Sequence, residues 1–101
     1  MKNLSTLAAE DFEPYQGQTI ELILDDGKQV DLELREVKLR GTFDPEFDTR
    51  QTFSVLFRGP MELALPQRIY RLNHEALGEL QLFLVPIGPD KIGMCFKAIF
   101  N

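Results

Sequence analysis

Residues 65–86 read Leu-Pro-Gln-Arg-Ile-Tyr-Arg-Leu-Asn-His-Glu-Ala-Leu-Gly-Glu-Leu-Gln-Leu-Phe-Leu-Val-Pro, and this run constrains the fold more than any other part of the chain. Residues 68–73 mix polar and apolar side chains in the manner of a half-buried strand. Residues 74–78, His-Glu-Ala-Leu-Gly, are a tight turn, and residues 79–85 form a second, strongly apolar strand. Two strands joined by so short a turn must run antiparallel. The second carries Leu80, Leu82, Phe83, Leu84 and Val85, apolar on both faces, so it is expected to be central or covered on both sides. Arg68 and Tyr70, set against Ile69 and Leu72, are expected to place polar groups on the surface.

The rest of the chain follows the same grammar. Residues 7–15 are the one stretch suited to a helix, with Thr6 as N-cap and Glu10 and Asp11 at its positive end. No acid stands three residues after Thr6, and Pro14 and Gly17 follow, so the helix should be short and partly 3₁₀. From Thr19 the period becomes two: Ile20, Leu22 and Leu24 share a face, then Asp25-Asp26-Gly27-Lys28 makes a hairpin turn. Val30, Leu32 and Leu34 continue inward, but Val37 and Leu39 fall on the opposite parity. An extra residue near Arg35-Glu36, a β-bulge, restores the inward face and bends the strand.

A loop spans residues 41–50, a third strand residues 52–57, and Gly59-Pro60 stops it. Pro86 and Gly88-Pro89-Asp90 read as the next turn, and residues 94–100 as the last strand, with Met94, Phe96, Ala98 and Phe100 on one face. The sequence shows no internal repeat and no linker. The fold class is all-β: a small antiparallel six-stranded, strongly bent barrel, or a sandwich, with one short N-terminal helix. The bulge favours the barrel, with the helix plugging one end.

Length and composition agree with this frame. One hundred and one residues, 44% of them hydrophobic, make a single domain over 1–101 that buries roughly two-thirds of its unfolded surface without disulfides. Cys95 is the only cysteine, so no internal disulfide framework exists. Residues 1–6 lack the features of a secretory signal, and no apolar run nears the ~18 residues needed to span a bilayer. A soluble, cytoplasmic protein is expected. Residues 1–48 carry twelve acids against five bases, and residues 49–101 four against six, giving local balances of −7 and +2. An acidic chain without a basic run is unsuited to nucleic acid or to an anionic membrane surface. The asymmetry could still orient a protein partner.

Candidate chemistry is sparse. His74 is the residue that titrates near neutrality, with Glu75 and Glu79 nearby. No nucleophile or charge stabiliser completes a catalytic set, so a side chain-to-backbone hydrogen bond closing the turn is the better reading. Cys95 has no activating neighbour and reads as a packed thiol. Asp44, Glu46 and Asp48 alternate like calcium ligands, but Thr49 and Val55 stand where a calcium loop requires Gly and Glu. No phosphate-binding glycine loop occurs, and neither cofactor nor metal is expected. Arg58, Arg68 and Arg71 should pair with carboxylates, although a planar guanidinium also suits a ligand anion. Phe43 and Phe47, two aromatics in a polar loop, either fold back over a barrel end or mark a contact surface. The candidate interaction residues are therefore Phe43, Phe47, Arg58, Tyr70, Arg71 and His74.

The residues from Leu4 to Phe12, with Gly17-Gln18-Thr19, Leu56-Phe57-Arg58-Gly59-Pro60 and Leu65-Pro66-Gln67, carry a resemblance. Tyr70-Arg71-Leu72, His74, Leu77-Gly78-Glu79-Leu80, Leu82 to Pro86, Gly88-Pro89-Asp90 and Phe100-Asn101 extend it over nearly the whole chain. The chain resembles a family of small bacterial proteins known as a domain of unknown function. It departs from that pattern at residues 44–50 and at Ala8, where a capping Thr is expected. The resemblance implies an accessory role in a phage-tail-like assembly, and no catalytic residue carries over. A non-enzymatic structural or protein-interaction module is the leading expectation. The alternative is small-molecule or carbohydrate binding at the barrel mouth by Arg58, Tyr70, Arg71 and His74, and a hydrolase with His74 as base is the weakest reading. An antiparallel homodimer through an unpaired strand edge is also open.

Overall fold

Side chains from Thr19 onward alternate between a common interior and solvent, and the strands follow that alternation. The computed structural model describes residues 7–41, 46 and 51–100. Among these, six strands form: β1 Thr19–Ile23, β2 Gln29–Leu39, β3 Phe53–Gly59, β4 Arg68–His74, β5 Gly78–Pro89 and β6 Met94–Phe100. They pair antiparallel in the order β1-β2-β3-β6-β5-β4, and β4 returns to β1. The sheet therefore closes into a barrel rather than splitting into a sandwich.

Closure depends on two long strands that change neighbours midway. β2 pairs with β1 from Gln29 to Glu33 and with β3 from Glu33 to Leu39. β5 pairs with β4 from Gly78 to Leu84, then with β6 from Val85 to Pro89. Each carries a bulge in its second part, at Arg35 and at Ile87. The first is the expected one. Leu34 faces Phe57 and Val37 faces Val55, so the extra Arg35 returns Val37 to the inward parity. Leu39 keeps that parity but remains 58% exposed at the strand end.

The lumen is filled. Phe12, Phe53, Phe57 and Phe96 are fully buried, as are Ile20, Leu22, Leu32, Leu34, Leu72, Leu80 and Leu82. Burying each such side chain stabilises the fold by about 1.5–3 kcal/mol. One end is plugged by the N-terminal segment, a single helical turn α1 (Ala9–Phe12) running into a 3₁₀ turn, Glu13–Tyr15. Phe12 sits 5.9 Å from Phe53 and 5.4 Å from Phe100, which stack on each other at 4.5 Å.

The helix is short, as expected, but its start differs. Thr6 lies outside the described residues, and Ala8 takes the N-cap position. The Asp11 carboxylate accepts a hydrogen bond from the Ala8 N–H at 2.8 Å. This is the acidic half of a capping box, shifted so that it serves Ala8 instead of Thr6.

Three further expectations are corrected. β5 does not have two covered faces: Leu80, Leu82 and Leu84 point inward, while Phe83 is 50% exposed on the outside. A closed barrel has one inner face, and apolar atoms are common on protein surfaces. Second, Pro86 and Gly88-Pro89 belong to β5, and the turn is Asp90 to Gly93, closed by the Asp90 N–H on the Gly93 carbonyl at 2.9 Å. β5 runs past the start of β4 here, so the missing proline N–H groups forfeit no bond on that side. Third, the parity of β4 puts Tyr70, Leu72 and His74 inside and leaves Ile69 exposed. Tyr70 is accepted there because its hydroxyl donates to the Pro66 carbonyl at 2.6 Å.

Candidate functional site

The turn between β4 and β5 is built around His74. Its Nδ1 accepts hydrogen bonds from the N–H groups of Ala76 at 3.0 Å and Leu77 at 3.2 Å. Nδ1 therefore carries no proton, and Nε2–H donates to Gln18 Oε1 at 3.0 Å. The imidazole is buried and lies 4.8 Å from the Tyr15 ring, centroid to centroid. Gly78, at φ 76°, pairs with His74 across the three-residue turn Glu75 to Leu77, a conformation that glycine adopts without strain. Both ring nitrogens are engaged in holding the turn to the N-terminal segment. The side chain has no free lone pair with which to act as a base.

Arg58 stands on a different wall. It lies on the outer surface of β3, yet is only 8% exposed. Its guanidinium reaches Asp90 at 3.1 Å and Glu33 at 3.5 Å, while Nε has no hydrogen-bond partner. The stem crosses Gly93, where a Cβ would come within 2.9 Å of Arg58 Cγ and 2.1 Å of the Gly59 carbonyl oxygen. Only glycine fits that crossing. Asp90 in turn accepts the N–H groups of Ile92 and Gly93, each at 2.8 Å. These backbone bonds, with Arg58 beside them, hold its carboxyl below the usual carboxylate range. Burial, and then the Asp90 charge, push the adjacent Cys95 thiol up, which disfavours a reactive thiolate.

Arg71 points outward from β4 and donates to Glu79 at 2.9 Å. Arg68 bonds both oxygens of Asp25, at 3.0 and 2.8 Å, joining the start of β4 to the first hairpin. Tyr70 and His74 share the inner face of β4 but lie four residues apart, about 13 Å along a strand. Arg58, Tyr70, Arg71 and His74 thus do not converge, and each already has an intramolecular partner. Phe43 and Phe47 lie outside the described residues, as do Asp44 and Asp48. No group of three His, Cys, Asp or Glu placed to hold a metal ion occurs among the described residues.

Two surface hollows were not foreseen. One, of about 380 Å³, is lined by Leu63, Ala64, Leu65, Pro66, Pro86 and Met94, all apolar, where the β3–β4 connection passes the ends of β5 and β6. Sequence marks Pro86 as a turn residue, and nothing local shows that it meets Pro66. The second, of about 190 Å³, lies on the outer face of the sheet and is lined by Glu36, Lys38, Arg40, Ser54, Leu56, Ile87 and Lys97. Outward parity after the bulge marks Glu36, Lys38 and Arg40 in sequence, but their meeting with Lys97 requires the order β2-β3-β6.

The fold and these surfaces define a small closed antiparallel β-barrel with a side chain-filled lumen and a plugged end. Within that class the chain belongs to the family described as a domain of unknown function, DUF6916, which matches residues 7–100. No curated protein and no solved structure matches the chain.

Proposed function

We propose that the protein is a non-enzymatic structural module that works by docking on a protein partner. The observation that carries this reading is the division between a filled lumen and an apolar hollow left open outside it. Polar residues that could have served chemistry are spent on structure: His74 on its turn, Arg58 on Asp90 and Glu33, Tyr70 on Pro66. The hollow formed by Leu63, Ala64, Leu65, Pro66, Pro86 and Met94 offers a partner's apolar side chain a concave seat, the usual form of an interface anchor. Small-molecule binding at the barrel mouth is less well supported, because its four candidate contacts face different ways.

The resemblance noted from sequence gives the proposal its setting, an accessory to a phage-tail-like assembly in the bacterial cytoplasm. A homodimer through the same hollow is an equivalent use of it. A strand-edge homodimer has less support, since every described strand is paired on both sides over at least part of its length.

Crosslinking of the tagged protein in its native cell, wild type against Ala64→Asp, tests the reading. Ala64 is exposed, so the charge should block the hollow without unfolding the barrel. The expected result is a discrete crosslinked species that Ala64→Asp removes while its melting temperature is unchanged. Equal crosslinking by the two proteins, or none by either, overturns it.

A further inference from the structure

We propose that the hollow across β2, β3 and β6 binds a carboxylate carried on a short apolar stem. The first argument is the distribution of charge. Among the described residues Lys28, Arg35, Arg58, Arg68 and Arg71 each have a carboxylate partner. Lys38, Arg40, Lys91 and Lys97 have none, and three of these four line this one hollow. In a chain with sixteen acids and eleven bases, free cations gathered in one place are not what random solvation produces.

Strand register explains how they gather. Lys38 lies directly opposite Ser54, and Lys97 directly opposite Leu56, on the two sides of β3. Their strands are therefore about 10 Å apart, twice the strand spacing, and both long side chains can lean over β3 toward a shared anion. Arg40 follows Lys38 at the end of β2, on the same outward parity, and its N–H bonds the Thr52 carbonyl at 2.8 Å. Ser54 forms the floor and is 5% exposed, which sets a hydroxyl beneath the cations.

The remaining lining residues select the ligand. Leu56 and Ile87 make part of the wall apolar, suited to a few methylene groups. Glu36 adds a carboxylate to the rim and lowers the net charge from +3 to +2, so the hollow attracts an anion, and its apolar wall favours one with a hydrocarbon stem over a fully hydrated phosphate. The volume of about 190 Å³ is below the roughly 300 Å³ at which sites for drug-sized ligands begin. A nucleotide is too large, and a monocarboxylate with a short aliphatic stem matches in charge and in size. Guanidinium and ammonium groups both form strong charge-assisted bonds to such an anion. This inference stands independently of the docking role, since the two hollows share no lining residue.

Titration of the full chain with butyrate and, separately, inorganic phosphate tests it, read by backbone amide shifts at low ionic strength. Butyrate should give saturable shifts at Lys38, Ser54, Leu56 and Lys97, with a dissociation constant on the order of 1 mM for so small a ligand. Lys97→Ala and Lys38→Ala should each weaken binding about tenfold, the loss of one charge-assisted bond. Lys91→Ala removes the same charge outside the hollow and should change nothing. Shifts that fail to saturate, equal weakening by Lys91→Ala, or phosphate binding tighter than butyrate would each overturn the proposal.

Discussion

The two halves of the barrel, β1–β3 and β4–β6, are built on one plan with different residues. Each begins with a short strand, turns tightly at or beside a glycine of positive φ, and continues into a long bulged strand and a third strand. The glycines are Gly27 at 86° and Gly78 at 76°, and the bulges are Arg35 and Ile87. β1 pairs with β4 and β3 with β6, so each half closes on the other. The halves differ where the long strand runs beyond its short partner. On β2 that overhang is covered: the Gly17 N–H bonds the Leu34 carbonyl at 2.7 Å, the Leu34 N–H bonds the Gln18 carbonyl at 2.9 Å, and Gln16 Oε1 accepts the Val37 N–H at 3.1 Å. On β5 the overhang carries Pro86 and Pro89, which have no N–H to satisfy and blunt the edge against pairing with another chain. One architectural problem, an exposed strand edge, has been met by added chain in one half and by residue choice in the other.

If the first half depends on added chain, the plug should be indispensable. Phe12→Ala removes the ring that joins Phe53 of one half to Phe100 of the other, and should cost about 3–5 kcal/mol. Denaturant unfolding measures this, and a loss below about 1 kcal/mol would show that the two halves close unaided.

The turns offer the next test of the same contrast. His74 in the second half and Asp26 in the first both accept backbone N–H bonds in their turns, but only His74 is buried and bound to Gln18. His74→Ala leaves the buried Leu77 N–H and the part-buried Ala76 N–H unpaired and should cost about 1–3 kcal/mol. Asp26→Ala, in solvent, should stay within about 0.5 kcal/mol. His74→Asn, whose Oδ1 can replace Nδ1 as acceptor, should recover part of the loss. Equal losses for His74→Ala and Asp26→Ala would break the distinction between a buried turn and a free-standing one.

That contrast also marks how far sequence reading reaches. Strand number, the Arg35 bulge, the brief helix and the role of His74 were legible because each rests on contacts within a few residues. The course of β5 was not. Gly-Pro pairs usually end a strand, and only the overhang beyond β4 makes Pro86 and Pro89 admissible inside one. Phe83 misled for a related reason: it lies opposite Ile69 on the outer wall, and an exposed cross-strand pair looks like core when read along one strand. The meeting of Lys38 with Lys97 depends on residues nearly sixty positions apart in sequence, and the pairing of Arg58 with Asp90 spans more than thirty. No local pattern encodes such contacts.

The smallest expected effect tests one of the contacts that join the halves by charge, Arg58 with Asp90, the other being Arg68 with Asp25. Arg58 belongs to the first half and Asp90 to the turn of the second, 3.1 Å apart. Since the folded state holds the Asp90 carboxyl below its ordinary value of 3.8, the native protein keeps this group ionised where the unfolded chain would bind a proton. The stabilisation is therefore fully present above the unfolded value and is lost as pH falls through the lower folded value. Asp90→Asn keeps an oxygen for the Ile92 and Gly93 N–H groups but removes the charge facing Arg58. Its melting temperature should lie slightly below that of the wild type at pH 7, and the gap should narrow as the pH is taken below about 4. A gap that stays constant across that window would mean that Asp90 acts through its turn geometry alone, and that its charge contact with Arg58 contributes nothing.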